Sequence, residues 1–225
     1  MTGLASEMVV AAAMLDDNDP PVRVVCAGAS AARAAVLTRQ MVDQGIEALL
    51  SFGIAGATDA QLDSGDLLVA REVTDDELVL YPCEARWQEA LCAALSAAQL
   101  PFHRGRLLGS RRLWRTPGDK DAIAARTESL AVDMESGAVA AIAAEEGLPF
   151  LAVRAIADRA QDSLPALVER AVKPNGRPAI GRAIAALARR PSEIPATLRL
   201  ARQSELALAR LRMLETVKGA LFGGF

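Results

Sequence analysis

The chain has 225 residues, 52% of them hydrophobic and 24% charged, with 25 Lys or Arg against 28 Asp or Glu, the profile of a folded globular protein of one large or two small domains. No apolar run reaches the roughly 18 residues of a membrane-spanning helix, and a single histidine, His103, with three scattered cysteines, Cys26, Cys83 and Cys92, leaves zinc fingers, CxxC redox pairs and multi-histidine metal sites without ligands. Two Trp, one Tyr and five Phe are too few for a base-stacking platform, and the odd cysteine count behind an interrupted amino-terminal apolar stretch implies reduced thiols in the cytoplasm. No metal, cofactor or nucleic-acid partner is therefore expected.

In chain order, short apolar runs alternate with alanine-rich amphipathic segments, the pattern of an α/β layer fold with a largely buried sheet. Val22 to Ala27 (VRVVCA) is a strand pattern, followed by a Gly-Ala-Ser turn and a helix from about Ala31 to Gln44. Glu47 to Phe52 is strand-like and runs into a turn at Gly53-Ile54-Ala55-Gly56. Asp66 to Val73 and Phe102 to Gly109 add two strands around a helix near Ala85 to Ala98, with Pro101 marking the boundary. Lys120 to Arg126 is a short helix, Leu130 to Val132 a short strand, Met134 to Gly147 a helix stopped by Gly147 and Pro149, and Phe150 to Ile156 (FLAVRAI) the last clear strand.

After Leu164 the pattern becomes helical, in three segments broken at Pro174 to Gly176 and at Pro191 and Pro195. From Ala171 onward ten Lys or Arg face three Glu, whereas the first 170 residues hold fifteen against twenty-five acids. On the last helix Leu200, Ala207, Leu208, Leu211, Leu214, Val217 and Leu221 share one face, flanked by Arg202, Arg210 and Arg212. Such a stripe serves as core, as a subunit contact or as a membrane-surface helix. With no repeat or linker dividing the chain, residues 1–225 are expected to form one domain, with the tail 164–225 packed on it.

Chemistry is sparse. There is no Walker loop, Gly53 to Gly56 is too short for a dinucleotide fingerprint, and His103, lying within a strand pattern, reads as structural. Three acids interrupt apolar or small-residue surroundings: Glu7 after Gly3-Leu4-Ala5-Ser6, Glu135 in Val132-Asp133-Met134-Glu135-Ser136, and Asp158 closing Val153-Arg154-Ala155-Ile156-Ala157-Asp158. Asp158 and the Gly53 to Gly56 turn fall at carboxyl ends of strands, where open α/β sheets bind ligands. Taken alone, Glu135 also fits a first-turn helix acid and Asp158 a helix cap.

At these residues a resemblance becomes specific. AVDMESGAVAAIAAEEGLPFLAVRAIADRA (residues 131–160) resembles the signature region of the nucleoside phosphorylase and methylthioadenosine/S-adenosylhomocysteine nucleosidase superfamily, and FGIAGATDAQLDSGDLLVAREV (52–73) is similar to its base-site glycine turn and following strand. Within it, Gly3-Leu4-Ala5-Ser6-Glu7, the VDMES form, Ser163-Leu164-Pro165 and the tail RRPSEIPATLRLARQSELALARL most resemble the hopanoid-associated phosphorylases. The resemblance implies a three-layer open mixed sheet with a helical carboxy-terminal extension, a homo-oligomer, and cleavage of the N-glycosidic bond of an adenosyl compound. Adenine leaves well only when its ring nitrogen is protonated as the bond breaks.

On this resemblance Asp158 is the general acid toward N7, Glu135 binds the ribose hydroxyls with Met134 packed on the sugar, Glu7 activates water, and Ala55, Gly56 and Ala157 line the base. Ser51 and Ile54 stand where phosphorolytic relatives carry an arginine and a serine, so phosphate as co-substrate would use Gly28, Ser30 and Arg33, a glycine turn opening a helix. Ala157 replaces a Ser or Thr common before the acid, and only Met1 and Thr2 precede Gly3, so the first strand is trimmed or begins upstream. Adenosylhopane is the substrate the nearest resemblance implies; its polycyclic group needs an apolar wall, for which Leu113, Trp114 and the tail stripe are candidates, and the basic tail would touch the inner membrane peripherally. A methylthioadenosine/S-adenosylhomocysteine nucleosidase and a non-catalytic nucleoside-binding or scaffold protein are the alternatives.

Overall fold

The computed structural model describes residues 1–16, 21–168, 173, 175–177, 179, 185 and 187–225. Six strands carry the fold: β1 (Leu49–Ala57), β2 (Leu67–Asp75), β3 (Leu80–Pro82), β4 (His103–Gly109), β5 (Ser129–Asp133) and β6 (Phe150–Asp158). The helices are α1 (Ala5–Ala13), α2 (Ala31–Val42), α3 (Ala85–Ala97), α4 (Pro117–Thr127), α5 (Ser136–Glu146), α6 (Ile194–Arg212) and α7 (Lys218–Gly223), with a 3-10 turn, Met213–Val217, joining the last two.

The sheet is mixed, in the order β3-β2-β4-β5-β1-β6, and β2 also pairs with β6. That extra antiparallel pairing, Leu67 to Ala155 through Val69 to Val153, closes β1, β6, β2, β4 and β5 into a ring, with β3 attached outside. The sheet is thus the mixed α/β one expected, but closed where open edges were expected. β6 (FLAVRAIAD) is buried along its whole length, as its largely apolar run, interrupted only by Arg154 and Asp158, suits a strand covered on both faces.

Local signals set the helix ends. Thr116 caps α4 by accepting the Asp119 amide at 3.2 Å, with Pro117 in the first turn, where its missing N–H costs nothing. Gly147 ends α5 at φ 65°, a left-handed conformation that favours glycine.

Two expectations are corrected. Residues 22–27 form no strand: Cys26 makes one isolated bridge to Thr2, because only the short Thr2 edge faces it, through Thr2 N to Val25 O and Ala27 N to Thr2 O. Nor is Gly53 to Gly56 a turn, since β1 continues through both glycines to Ala57, paired to β6 on either side of a register shift between Ala55 and Gly56. The expected break at Pro174 and much of the helix before Pro191 lie outside the described residues.

The tail stripe is core. Ala207, Leu208, Leu211, Leu214, Val217 and Leu221 are buried in the main cluster, α6 packing on β6 and β1 and α7 on α3. Each such leucine contributes about 1.5–3 kcal/mol by leaving water. Trp87 of α3, itself buried, anchors the end by donating its indole N–H to the carbonyls of Ala220 and Leu221, each at 3.1 Å.

Candidate active site

The site lies where β1, β5 and β6 end, and a register shift builds it. Ala55 pairs with Ile156, but the next residue, Gly56, pairs with Asp158, so Ala157 is an extra residue in β6. A bulge of this kind re-aims the side chains around it. It sets Asp158, not Ala157, across from Gly56, and a Cβ on Gly56 would sit 3.0 Å from both Asp158 oxygens. Asp158 is buried, and Lys120 of α4 donates to its Oδ2 at 2.5 Å. Asp158 caps no helix. Burial pushes its proton affinity up, and the Lys120 ammonium pulls it partly back.

The other two acids obey the same geometry. Glu7, on the first turn of α1, accepts from the amides of Gly3 (2.7 Å) and Leu4 (2.8 Å) at Oε2, and from Ile54 of β1 (3.0 Å) at Oε1. A Cβ on Gly53 would lie 2.6 Å from its carboxyl. Burial raises the Glu7 pKa against the pull of those amides and of Arg154. Glu135 stands before α5, and its Oε1 is buried without a hydrogen-bond partner. Burial first, then Asp133 and Glu7, push its pKa up to about 8. A Cβ on Gly3 would meet its carboxylate at 2.8 Å. Each acid therefore rests on a glycine: Glu135 on Gly3, Glu7 on Gly53, Asp158 on Gly56.

Glu135 is not a helix-capping acid either, because Asp133 takes that work. Asp133 Oδ1 accepts the amides of Glu135 (3.3 Å) and Ser136 (3.1 Å). Its Oδ2 accepts Arg154 Nε at 2.6 Å, and the Arg154 Nη2 donates to Ser51 Oγ (2.6 Å) and Ser136 Oγ (2.9 Å). This buried network joins β1, β5, β6 and α5, and it engages Ser51. Burial is the main reason the Glu135 proton is held, and the nearby Asp133 and Glu7 carboxyls add to it against the pull of the single Arg154 guanidinium.

A narrow pocket of about 50 Å³ opens beside Asp158, lined by Gly56, Arg112, Leu113, Trp114, Lys120, Val132, Asp133, Met134 and Leu164. Trp114 is fixed by its indole N–H to Ser110 Oγ at 3.0 Å and by the Arg112 guanidinium 4.7 Å from its ring centre. The structure thus brings together Asp158, Gly56, Met134, Leu113 and Trp114 at one wall, and Glu7 and Glu135 further along β1. Ala55 and Ala157, both buried, do not line this pocket, nor does any residue of the tail stripe. At the head of α2, Ser30 Oγ accepts the Arg33 amide at 3.4 Å and Arg33 Nε donates to Ala27 O at 3.0 Å, while the Ala29 amide is spent on Gly3 O. His103 opens β4 and pairs loosely with Asp66 at 3.5 Å, away from the acids.

A larger cavity, about 390 Å³, lies by the start of β1, among Met1, Val22, Val24, Met41, Trp87 and Phe222. Its charged lining side chains, Arg23 and Glu47, are exposed, so it lacks the buried acid cluster. Sequence reasoning missed Lys120, Asp133 and Arg154. Arg154 had a signal, a charge inside the buried run FLAVRAIAD that must find a partner; Lys120, on a short mixed helix, had none.

A mixed sheet packed with helices, with carboxylates gathered at the strand ends, defines the class of this protein as α/β. Residues 8–189 match the family model described as the phosphorylase superfamily, and the chain belongs to that family. No curated protein sequence matches it. Among solved structures it is similar to 5′-methylthioadenosine/S-adenosylhomocysteine nucleosidase from Helicobacter pylori, at 13% identity and TM-score 0.72, covering 98% of this chain and 95% of that one. It is similar also to the Neisseria meningitidis nucleosidase in complex with methylthio-immucillin-A, at 16% identity and TM-score 0.71, with 97% and 96% covered. The futalosine hydrolase of H. pylori follows the same fold, at 14% identity and TM-score 0.67, with 96% and 95% covered.

Proposed function

We propose that the protein cleaves the N-glycosidic bond of an adenosyl compound and releases adenine. The observation that carries this reading is the unpartnered Glu135 Oε1, buried in a row of three acids set along β1 and its neighbours. From Gly53 to Gly56 the strand advances about 10 Å, the span of a nucleoside from sugar to far edge of the base. Asp158 then meets the purine N7 as general acid, with the main chain of Gly56 and the ring of Trp114 bounding the base. Glu135 accepts from the ribose hydroxyls and Met134 packs on the sugar. Glu7, with three of about four acceptor sites filled by amides, keeps one for a water at C1′. The pocket is narrow, about 50 Å³, so a purine fits only if the Leu113–Trp114 wall moves from its place here.

Water is the favoured nucleophile. Ser51 is engaged by Arg154 and the Ala29 amide and Arg33 Nε are engaged within the fold, which leaves Gly28, Ser30 and Arg33 a depleted phosphate cradle. The substrate we favour is an adenosyl lipid such as adenosylhopane, its apolar group running out past Leu113 and Trp114. Peripheral membrane contact then falls to Leu198 and Leu206, each 56% exposed on α6, and the nearby arginines, since the stripe is buried. Among the described residues no helix is long and apolar enough to cross a membrane. The solved nucleosidases favour a second reading, methylthioadenosine or S-adenosylhomocysteine as substrate. Exposed Val9 and Val36, on α1 and α2, at 64% and 58%, suit a homo-oligomer contact.

The test is adenine release, with and without phosphate, from methylthioadenosine and from an adenosyl lipid in detergent. Release from the lipid, with free sugar as product, is expected; faster turnover of methylthioadenosine transfers the assignment to the second reading, and a sugar phosphate product overturns the choice of water. No adenine from either substrate refutes glycosidic cleavage.

A further inference from the structure

Lys120 lies entirely buried in α4, a place where a lysine is costly unless its charge is met. Three acceptors meet it: Asp158 Oδ2 at 2.5 Å, Arg159 O at 2.7 Å and Asp162 O at 3.2 Å. A neutral amine has two N–H donors and an ammonium three, so all three contacts are made only by the charged form. Two of these acceptors belong to the chain leaving β6, and one ammonium therefore pins both the acid and the turn behind it. That turn is held again from α6, where Gln203 Nε2 donates to Asp162 Oδ2 at 2.7 Å.

Other charged groups also face Asp158: Arg112 lines the same pocket with its guanidinium over the Trp114 ring. Asp162 faces it from the same turn, with Arg159 at 3.2 Å and Arg199 of α6 at 3.7 Å already balancing that carboxylate. Across the pocket Asp133 is paired with Arg154, and β1 presents only Gly56. Among the described residues, Lys120 is the cation in contact with the acid.

We propose that Lys120 is a positioning residue: it fixes Oδ2 of Asp158 so that Oδ1 faces the purine, and it stabilises the carboxylate left when the proton departs. The inference rests on the glycosidic reading above. In the step it serves, the C1′–N9 bond breaks with its electron pair going to the purine, and the Asp158 proton passes to N7. Water then bonds to C1′, losing a proton to Glu7, and solvent returns that proton to Asp158. The ion pair that remains after transfer has no need to wait for solvent reorganisation, because its partner is already in place.

Two substrates separate this role from a merely structural one. Methylthioadenosine needs a protonated leaving group; a nitrophenyl riboside does not. Lys120→Met and Lys120→Gln are expected to lower kcat on methylthioadenosine about 10- to 100-fold, within the range general-acid catalysis supplies, while changing kcat on the nitrophenyl riboside less than about threefold on the same basis. The alkaline fall of the methylthioadenosine pH profile is expected to move to higher pH, because without the ammonium Asp158 holds its proton more tightly. Lys120→Arg, which keeps the charge, is expected to restore much of the ratio, and it carries the test if the neutral variants do not fold by thermal melting. Equal losses on both substrates, or an unmoved alkaline limb, overturn the proposal. A wild-type protein that cleaves neither of these substrates nor the adenosyl lipid overturns the glycosidic reading itself, whereas wild-type cleavage with an unchanged ratio in the variants refutes only the role of Lys120.

Discussion

Replacing Glu135 by Gln is expected to stabilise the protein while removing its activity, and the pH dependence of the gain follows from the site. In the unfolded chain a glutamate loses its proton near pH 4.5; in the fold burial and the neighbouring Asp133 and Glu7 raise that to about 8. Below the lower value both states hold the proton and Glu135 costs nothing. Between the two the folded state keeps a proton that the unfolded state has shed, so stability falls as pH rises, and above about 8 the penalty is constant. At 1.36 kcal/mol per unit the full penalty is roughly 5 kcal/mol; because Glu7 and Asp133 share it, we expect about 2–3 kcal/mol on removing the charge, or some 5–10 °C in Tm for a chain of this length. The assay is urea denaturation of wild type and Glu135→Gln from pH 5 to pH 9. The gain should be small at pH 5, grow through pH 8 and then level, while kcat/KM for the nucleoside falls about 100-fold or more through loss of one of the two oxygens that accept from the ribose hydroxyls. A gain that does not grow with pH, or a destabilised variant, refutes the picture of Glu135 as a buried acid awaiting a ligand.

Asp158→Asn is expected to abolish adenine release, by at least about 100-fold, while nucleoside binding measured by calorimetry changes little; unchanged turnover removes Asp158 from the mechanism. Glu7→Gln should lose hydrolysis, read as free sugar by chromatography, and any residual rate that phosphate stimulates would reveal a phosphorolytic route independent of Glu7. Gly137→Ala should raise KM and cost about 2–3 kcal/mol in urea denaturation, because its Cβ would lie 2.6 Å from the Gly109 carbonyl oxygen and push the start of α5, with Glu135, away from β4. A fully active and stable Gly137→Ala protein contradicts that close contact.

The acids were legible as interruptions of apolar sequence, and the strands β2, β4 and β6 as apolar runs between glycines and prolines. What one dimension hides is closure and partnership. Nothing in the residues of β2 says that they pair with β4 on one side and β6 on the other, so the sheet was expected to stay open. The bulge at Ala157 is invisible as well, since it exists only as a mismatch between two strands, yet it selects Asp158 as the residue facing Gly56. The tail stripe has the same periodicity whether it meets β6, another subunit or a bilayer; only the packing of α6 decides. Lys120 and Asp158 are separated by 38 residues, and no local pattern joins them.

The pairing of acids with glycines explains how a chain this poor in polar machinery can build the site. A buried carboxylate is stable only where donors reach it, and backbone amides reach it best when no Cβ stands between them. Glu7 shows the result: three main-chain N–H groups, from Gly3, Leu4 and Ile54, hold one carboxylate that rests against Gly53. Glu135 rests against Gly3 but has an oxygen with no donor, while Asp158 rests against Gly56 and receives an ammonium in place of amides. The three acids share one kind of seat and differ in what fills their lone pairs: amides for the proposed base, a lysine for the proposed acid, and, in our reading, substrate hydroxyls for the third. Differences in proton affinity among like side chains then follow from the donors each seat supplies: amides beside the glycines of β1 and before α1 for Glu7, and an ammonium from α4 for Asp158.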